Sequence, residues 1–307
     1  MFKIKKVLLM FALVFFIPAC QRQIVKRKKI TIIRNQEREQ TNDNIVVASS
    51  PPPITIFVHG TRMLPRSLVR PFFHCRSGFH RAGDLNKWAY YRRLAYELNK
   101  IDPDRFAFDA FYIFCWSGDL DFEARELAAK KLYEHLVPLI QNYQKTYGKK
   151  PFIRIIGHSH GCNVSLNLAS IEKANDDLQI DQLILLAGPV QAATADFVQD
   201  PMFKKIYSLY SRADHVQVLD PQGMYRYVKG HCVSAPLFSE RQFKLVHPKV
   251  KQVKIKYNGR APGHVEFISP HFLRIITGIL NAMDEWPELN NPQEKTEYLL
   301  KINTKKN

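Results

Sequence analysis

Phe152-Ile153-Arg154-Ile155-Ile156-Gly157-His158-Ser159-His160-Gly161-Cys162-Asn163 sets a β-branched apolar run directly against a G-x-S-x-G pentapeptide. The run FIRII at 152 to 156 predicts a buried strand, and a helix is expected to begin near Cys162. The bare pentapeptide arises by chance in about one chain in ten of this length at ordinary Gly and Ser usage. A strand before it and a helix after it make it informative. A serine on a tight strand-to-helix turn has its hydroxyl exposed, and glycines on either side let the two backbones approach closely. The amino end of the following helix then faces that hydroxyl, where free N–H groups favour developing negative charge.

Outward from this turn, short β-branched or aromatic runs alternate with longer helical patterns. The runs are ITIFV at 54 to 58, FYIFCW at 111 to 116, FIRII, QLILLA at 182 to 187, IYSLY at 206 to 210 and VKIKY at 253 to 257. Near-continuous apolar strands with helical connections predict a mostly parallel, doubly wound α/β sheet covered on both faces. Helices are expected over 87 to 100, with Trp88, Tyr91, Leu94, Ala95 and Leu98 inward, and over 122 to 147, with Leu127, Leu132, Leu136, Ile140, Tyr143 and Tyr147 inward. The second should end at Gly148 and be kinked or split at Pro138. A third is expected from Asn163 to about Ala174, and a last from Pro270 to about Asp284. Two long connections, 61 to 86 and 220 to 250, follow strand carboxyl ends, where open α/β sheets bind ligands. Their Met63, Leu64, Phe72, Phe73, Phe79, Met224, Tyr225, Tyr227, Leu237 and Phe238 suit either a substrate-covering cap or ordinary loops packed on the core.

Residues 54 to 284 resemble an α/β-hydrolase of the lipase-like group. The resemblance rests on the G-x-S-x-G between strand and helix, on His59-Gly60 after the first strand and, more weakly, on Trp116-Ser117-Gly118 after the second. It implies the α/β-hydrolase fold, with loop insertions over the active site, and a nucleophile, acid and histidine in that chain order. Ser159 is the implied nucleophile. Asp214 lies just past strand 206 to 210, and His264 ends the glycine-rich loop after strand 253 to 257, so both reach the sheet edge that carries Ser159. Asp220, Asp196 and Asp200 are rivals for the acid; His215, His231, His247 and His271 are rivals for the base. The resemblance further implies an oxyanion hole from the backbone N–H groups of Thr61 and His160. The expected chemistry is acyl-ester cleavage through an acyl-enzyme, with no cofactor and no metal. His158-x-His160 suggests a metal site only weakly, because Cys162 and Asn163 stand where metallo-β-lactamase-like hydrolases place Asp and His. A thioesterase, an acyltransferase and a non-catalytic envelope lipoprotein on the same fold remain alternatives.

The ends read differently. MFKIKKVLLMFALVFFIPAC has a basic head and an apolar run from Val7 to Ile17, too short to span a bilayer comfortably. Ile17-Pro18-Ala19-Cys20 resembles a bacterial lipobox, which implies lipid attachment at Cys20; an uncleaved anchor is the alternative. Residues 1 to 19 are thus expected as signal or anchor, 20 to 53 as a basic, Pro-rich tether, 54 to 286 as the catalytic domain and 287 to 307 as a polar tail. The 307-residue chain carries a net charge of +17, and its first fifty residues hold ten Lys or Arg against three acids. With no nucleic-acid-binding motif alongside, that charge suits an anionic membrane surface, and the expected location is the bacterial cell envelope. The expected partner besides that surface is an acyl-ester or lipid-like small molecule; oligomeric state is not legible. Wide cysteine spacing allows a bridge or two, with Cys75 and Cys232 the expected pair, since Cys115 and Cys162 fall in core elements.

Overall fold

All six apolar runs are strands, and the central four are buried along their whole length. The computed structural model describes residues 28–32, 51–61, 75–171, 178–220, 222, 227–228, 231–232, 236–244, 247–257, 259–286 and 298–302. Cys20, the expected signal segment and, of the two expected cap segments, residues 62–74, 221, 223–226, 229–230, 233–235 and 245–246 lie outside the described residues.

In chain order the strands are β1 (Lys28–Ile32), β2 (Ile54–Val58), β3 (Gly78–Arg81), β4 (Phe111–Cys115), β5 (Ile153–His158), β6 (Gln182–Leu186), β7 (Ile206–Tyr210), β8 (Tyr227–Val228), β9 (His231–Cys232), β10 (Val250–Tyr257) and β11 (Tyr298–Ile302). Nine form one sheet in the order β1-β11-β10-β7-β6-β5-β2-β4-β3, parallel throughout except at β3, while β8 and β9 pair separately. The run β4-β2-β5-β6-β7-β10, in which β2 and β4 exchange places relative to chain order, is the α/β-hydrolase arrangement. It puts the carboxyl ends of β2, β5, β7 and β10 on one edge.

Among the described residues four α-helices cover the sheet: α1 (Tyr90–Ile101), α2 (Phe122–Tyr147), α3 (Gly161–Leu166) and α4 (Pro270–Asp284). Leu94 and Leu98 of α1 and Ile276 and Leu280 of α4 share one core with Phe57, Ile113 and Leu209. Leu132 and Leu136 of α2 and Val164 of α3 share the other with Ile56, Ile155 and Leu185. Helices therefore lie on both faces, as the sequence pattern requires. Several helix details differ from expectation. α2 continues through Pro138, whose ring removes one donor without ending the helix, and it stops at Gly148 in the left-handed region (φ 69°). Its buried face is Phe122, Arg125, Ala128, Ala129, Leu132, Leu136 and Tyr143, so Leu127 and Tyr147 face outward and an arginine takes an inner position. Trp88 precedes α1 and is exposed. α3 begins at Gly161 and tightens into a 3-10 turn over Asn167–Ser170.

Besides the two-residue strands β8 and β9 in the second long connection, three strands lie where loops or tails were expected. β1 and β11 fall in the expected tether and tail yet join the sheet edge, and β3 occupies part of the first long connection. Each is only four or five residues long and is interrupted by Lys, Arg or His, so none shows the unbroken apolar run that marks the central strands. β3 brings a correction. Its antiparallel register sets Gly78 opposite Cys115, and Cys75 forms a disulfide with Cys115 across a Cα–Cα distance of 5.9 Å. The expected Cys75–Cys232 bridge is therefore not formed. Cys115 ends its strand beside the edge, within reach of a strand invisible in the hydrophobic pattern.

That bridge ties residues 40 apart in sequence, a closure worth about 3–4 kcal/mol against the unfolded chain. Thiol reductant should lower the unfolding temperature of the wild type, and the Cys75→Ser/Cys115→Ser double variant should start lower and ignore reductant. Equal melting of all four samples would show that the bridge contributes nothing.

Candidate active site

Ser159 follows β5 at φ 55°, one of two non-glycine residues with positive φ among those described. This is the strained strand-to-helix turn expected of the pentapeptide. Its amide donates to Leu186 O at 3.0 Å and its carbonyl accepts from Cys162 N at 3.0 Å, fixing the turn at both sides. Two glycines make the geometry possible. A Cβ on Gly161 would lie 2.2 Å from Val58 O, and one on Gly60 would lie 2.6 Å from Ser159 Cβ. Both are below any contact a side chain tolerates, so the loop after β2 and the turn after β5 touch through bare backbone.

Asp214 and His264 meet as the chain order implied. His264 Nδ1 lies 2.8 Å from Asp214 Oδ2; the carboxylate accepts, so Nδ1 carries the proton and Nε2 presents its lone pair. Asp214 is fully buried, and its Oδ1 accepts from Gln217 N at 3.0 Å while Arg241 holds its backbone carbonyl. The His264 loop continues into a 3-10 turn over His264–Ile268, where Glu266 accepts from Gly263 N at 2.5 Å and Tyr90 donates to Ile268 O. His215 and His271, rivals for the base, are not the histidines on Asp214.

The two histidines that flank Ser159 have contacts that the pentapeptide alone did not assign. His158, next to Ser159, donates from Nε2 to His264 O at 3.2 Å, and the two rings stand 5.0 Å apart. The serine turn and the His264 loop are thereby bonded to one another. Burial, with the neighbouring His264 adding to it, pushes the His158 imidazole down to about 3, so it is neutral. His160 turns to other partners: Arg125 of α2 donates to its Nδ1 at 3.2 Å, and Asp220 Oδ1 lies 3.1 Å from its Nε2. Asp220, a rival for the acid, is thus committed to His160 rather than to His264. Flanking histidines in G-H-S-H-G were the available signal for both contacts.

The loop after β2 is held by Trp116. Its indole N–H donates to His59 O at 2.7 Å and its backbone N–H to His59 Nε2 at 3.1 Å, which leaves His59 Nδ1 to donate to Gly60 O at 2.6 Å. The backbone N–H groups of Thr61 and His160 donate to no acceptor among the described residues. They flank the Gly60–Ser159 contact. Among the described residues no group of three His, Cys, Asp or Glu side chains is placed to hold a metal ion. Of the expected cap, Phe79 stacks on Tyr112 and His135, and Arg81 is bonded to Asp109 O.

No protein-family model and no curated protein sequence matches the chain. Among solved structures, a predicted CIB-like hydrolase from Thermoplasma acidophilum is similar at 14% identity, covering 75% of this chain and 86% of that one, with a TM-score of 0.32.

His158 makes the site acid-sensitive with a definite sign. Its folded value near 3 lies below the ordinary 6.5, so its contribution is complete above pH 6.5. As pH falls below that, the unfolded chain takes up a proton the folded chain refuses, and stability drops by about 1.4 kcal/mol per pH unit towards pH 3. Denaturant unfolding between pH 7 and pH 4 should show a slope reduced by about that amount in His158→Gln. Superimposable slopes would rule His158 out as the source.

Proposed function

We propose that the chain is a serine hydrolase that cleaves acyl esters through an acyl-enzyme. The observation that carries this reading is the Asp214–His264 pair at 2.8 Å, tied through His158 to the strained turn that bears Ser159. In this mechanism His264 Nε2 takes the proton from Ser159 Oγ as the oxygen attacks the acyl carbonyl. Asp214 holds the imidazole in the required tautomer and stabilises the imidazolium that forms. The carbonyl oxygen becomes an oxyanion facing the N–H groups of Thr61 and His160, fixed in place beforehand. His264 then returns the proton to the leaving alcohol, and water repeats the sequence on the acyl-enzyme.

Exposed apolar side chains close in sequence to the proposed catalytic residues, and others on the segment bonded to Asp220, favour an acyl substrate over a small polar one. Val216 and Val265, each close in sequence to a proposed catalytic residue, are 42% and 67% exposed, and Leu237 and Phe238 are 49% and 38% exposed. Each substrate methylene buried there is worth about 0.8 kcal/mol, so four favour octanoyl over butyryl esters by roughly a hundredfold. A basic N-terminal tether with lipid on Cys20, in the bacterial envelope, completes the proposal; the Cys75–Cys115 bridge fits an oxidising compartment.

A fluorophosphonate should label the wild type and spare Ser159→Ala, and Asp214→Asn should lose roughly 10⁴-fold in kcat. Equal labelling of wild type and Ser159→Ala would refute the nucleophile. For substrate class, specificity constants for acetyl, butyryl and octanoyl esters of one leaving group should rise in that order; a preference for acetyl would make the enzyme a small-ester hydrolase.

A further inference from the structure

His160 accepts a hydrogen bond from Arg125 at Nδ1 and stands at ion-pair distance from Asp220 at Nε2, in a setting that costs the fold a good deal. Arg125 is 0% exposed and Asp220 4%, and burying a guanidinium and a carboxylate costs several kcal/mol each before their mutual attraction is counted. An apolar trio would fill the space more cheaply. Arginine has only donors, so the 3.2 Å contact from Arg125 fixes Nδ1 as an acceptor and leaves the proton on Nε2, facing Asp220. Burial lowers the imidazole's affinity for a second proton, against the pull of Asp220. For Asp220, burial would raise the carboxyl, but His160 and hydrogen bonds from Ser239 and Gln191 outweigh it and hold it at about 2. The outcome is a fixed order of charge: cation, neutral imidazole of one tautomer, anion.

We propose that Arg125, the His160 side chain and Asp220 form a positioning network that sets the oxyanion donor next to Ser159, namely the backbone N–H of His160, and couples it to the apolar strip at Leu237–Phe238. The inference rests on the ester-hydrolase reading above. The three residues come from α2, from the turn after Ser159 and from the segment after β7, so the peptide carrying the donor is braced from two other elements. A donor displaced by even an ångström loses much of its effect on a transition state. Asp220 in turn is bonded to the strip: its Oδ2 accepts from Ser239 Oγ at 2.5 Å, its carbonyl accepts from Ser239 N at 3.2 Å, and Gln222 Nε2 donates to Phe238 O at 2.7 Å. An acyl chain on Leu237 and Phe238 thus bears on the segment that holds His160.

The test uses the full chain with Asp220→Asn and, because a buried change can prevent folding, the milder Ser239→Ala. Both should lower kcat on an octanoyl ester, by roughly 10- to 100-fold for Asp220→Asn and severalfold for Ser239→Ala, with KM within about twofold. Affinity for an alkylboronic acid, which mimics the tetrahedral adduct, should fall by the same factor. Fluorophosphonate labelling of Ser159 should still run to completion, though more slowly, since nucleophile and base are intact. A purely structural role predicts lowered melting temperature with unchanged kcat per folded molecule. That result, or a rise in KM alone, overturns the proposal, and if Asp220→Asn does not fold, Ser239→Ala decides by the same readings. A wild type that neither labels nor hydrolyses esters overturns the parent reading instead.

Discussion

A serine held at φ 55° sits in a region that costs a side-chain-bearing residue about 1–3 kcal/mol and survives only where its surroundings impose it. Here they do so from several directions. The loop after β2 presses on it through Gly60, α3 starts immediately against Val58 through Gly161, and the amide of Ser159 is taken by the end of β6. Cys162 fills the space behind, its thiol pushed up by burial, so it is a packing group and not a second nucleophile. Every distance in the candidate site depends on this backbone contact, because the loop, the turn and the helix have no slack to take up a methyl group between them.

Four imidazoles surround that turn, and each is given one tautomer by a partner of fixed polarity. His264 faces a carboxylate, His158 a carbonyl, His160 a guanidinium on one nitrogen, and His59 a peptide N–H from Trp116. Only His264 gives its Nδ1 proton to a carboxylate, the arrangement that makes Nε2 a base. Identical side chains acquire different duties through their hydrogen-bond partners alone.

The fold was legible because its central strands are buried on both faces and read as unbroken apolar runs. Ser159, Asp214 and His264 were legible because chain order and strand ends locate them without knowledge of side-chain direction. Neighbours such as Arg125 and Trp116 were not, since helical periodicity favoured Leu127 for the inner face and nothing local marks a tryptophan as the clamp on His59. The strands at and next to the sheet's edges escaped for the opposite reason: β1, β3 and β11 join the sheet through backbone pairing, which needs no apolar run and so leaves no hydrophobic signature. The disulfide was missed with them, because its partner choice depends on where β3 lies.

Parallel pairing of Lys28–Ile32 with Tyr298–Ile302 makes the two ends of the chain neighbours in one sheet. An N-terminal deletion up to the Pro51–Pro53 stretch would therefore remove more than a tether. It would strip β11 of its outer partner and leave a row of unsatisfied N–H and C=O groups, a template on which another chain can add a strand. Sticky, self-associating preparations of the shortened protein would then reflect a missing edge and say nothing about the soundness of the central sheet.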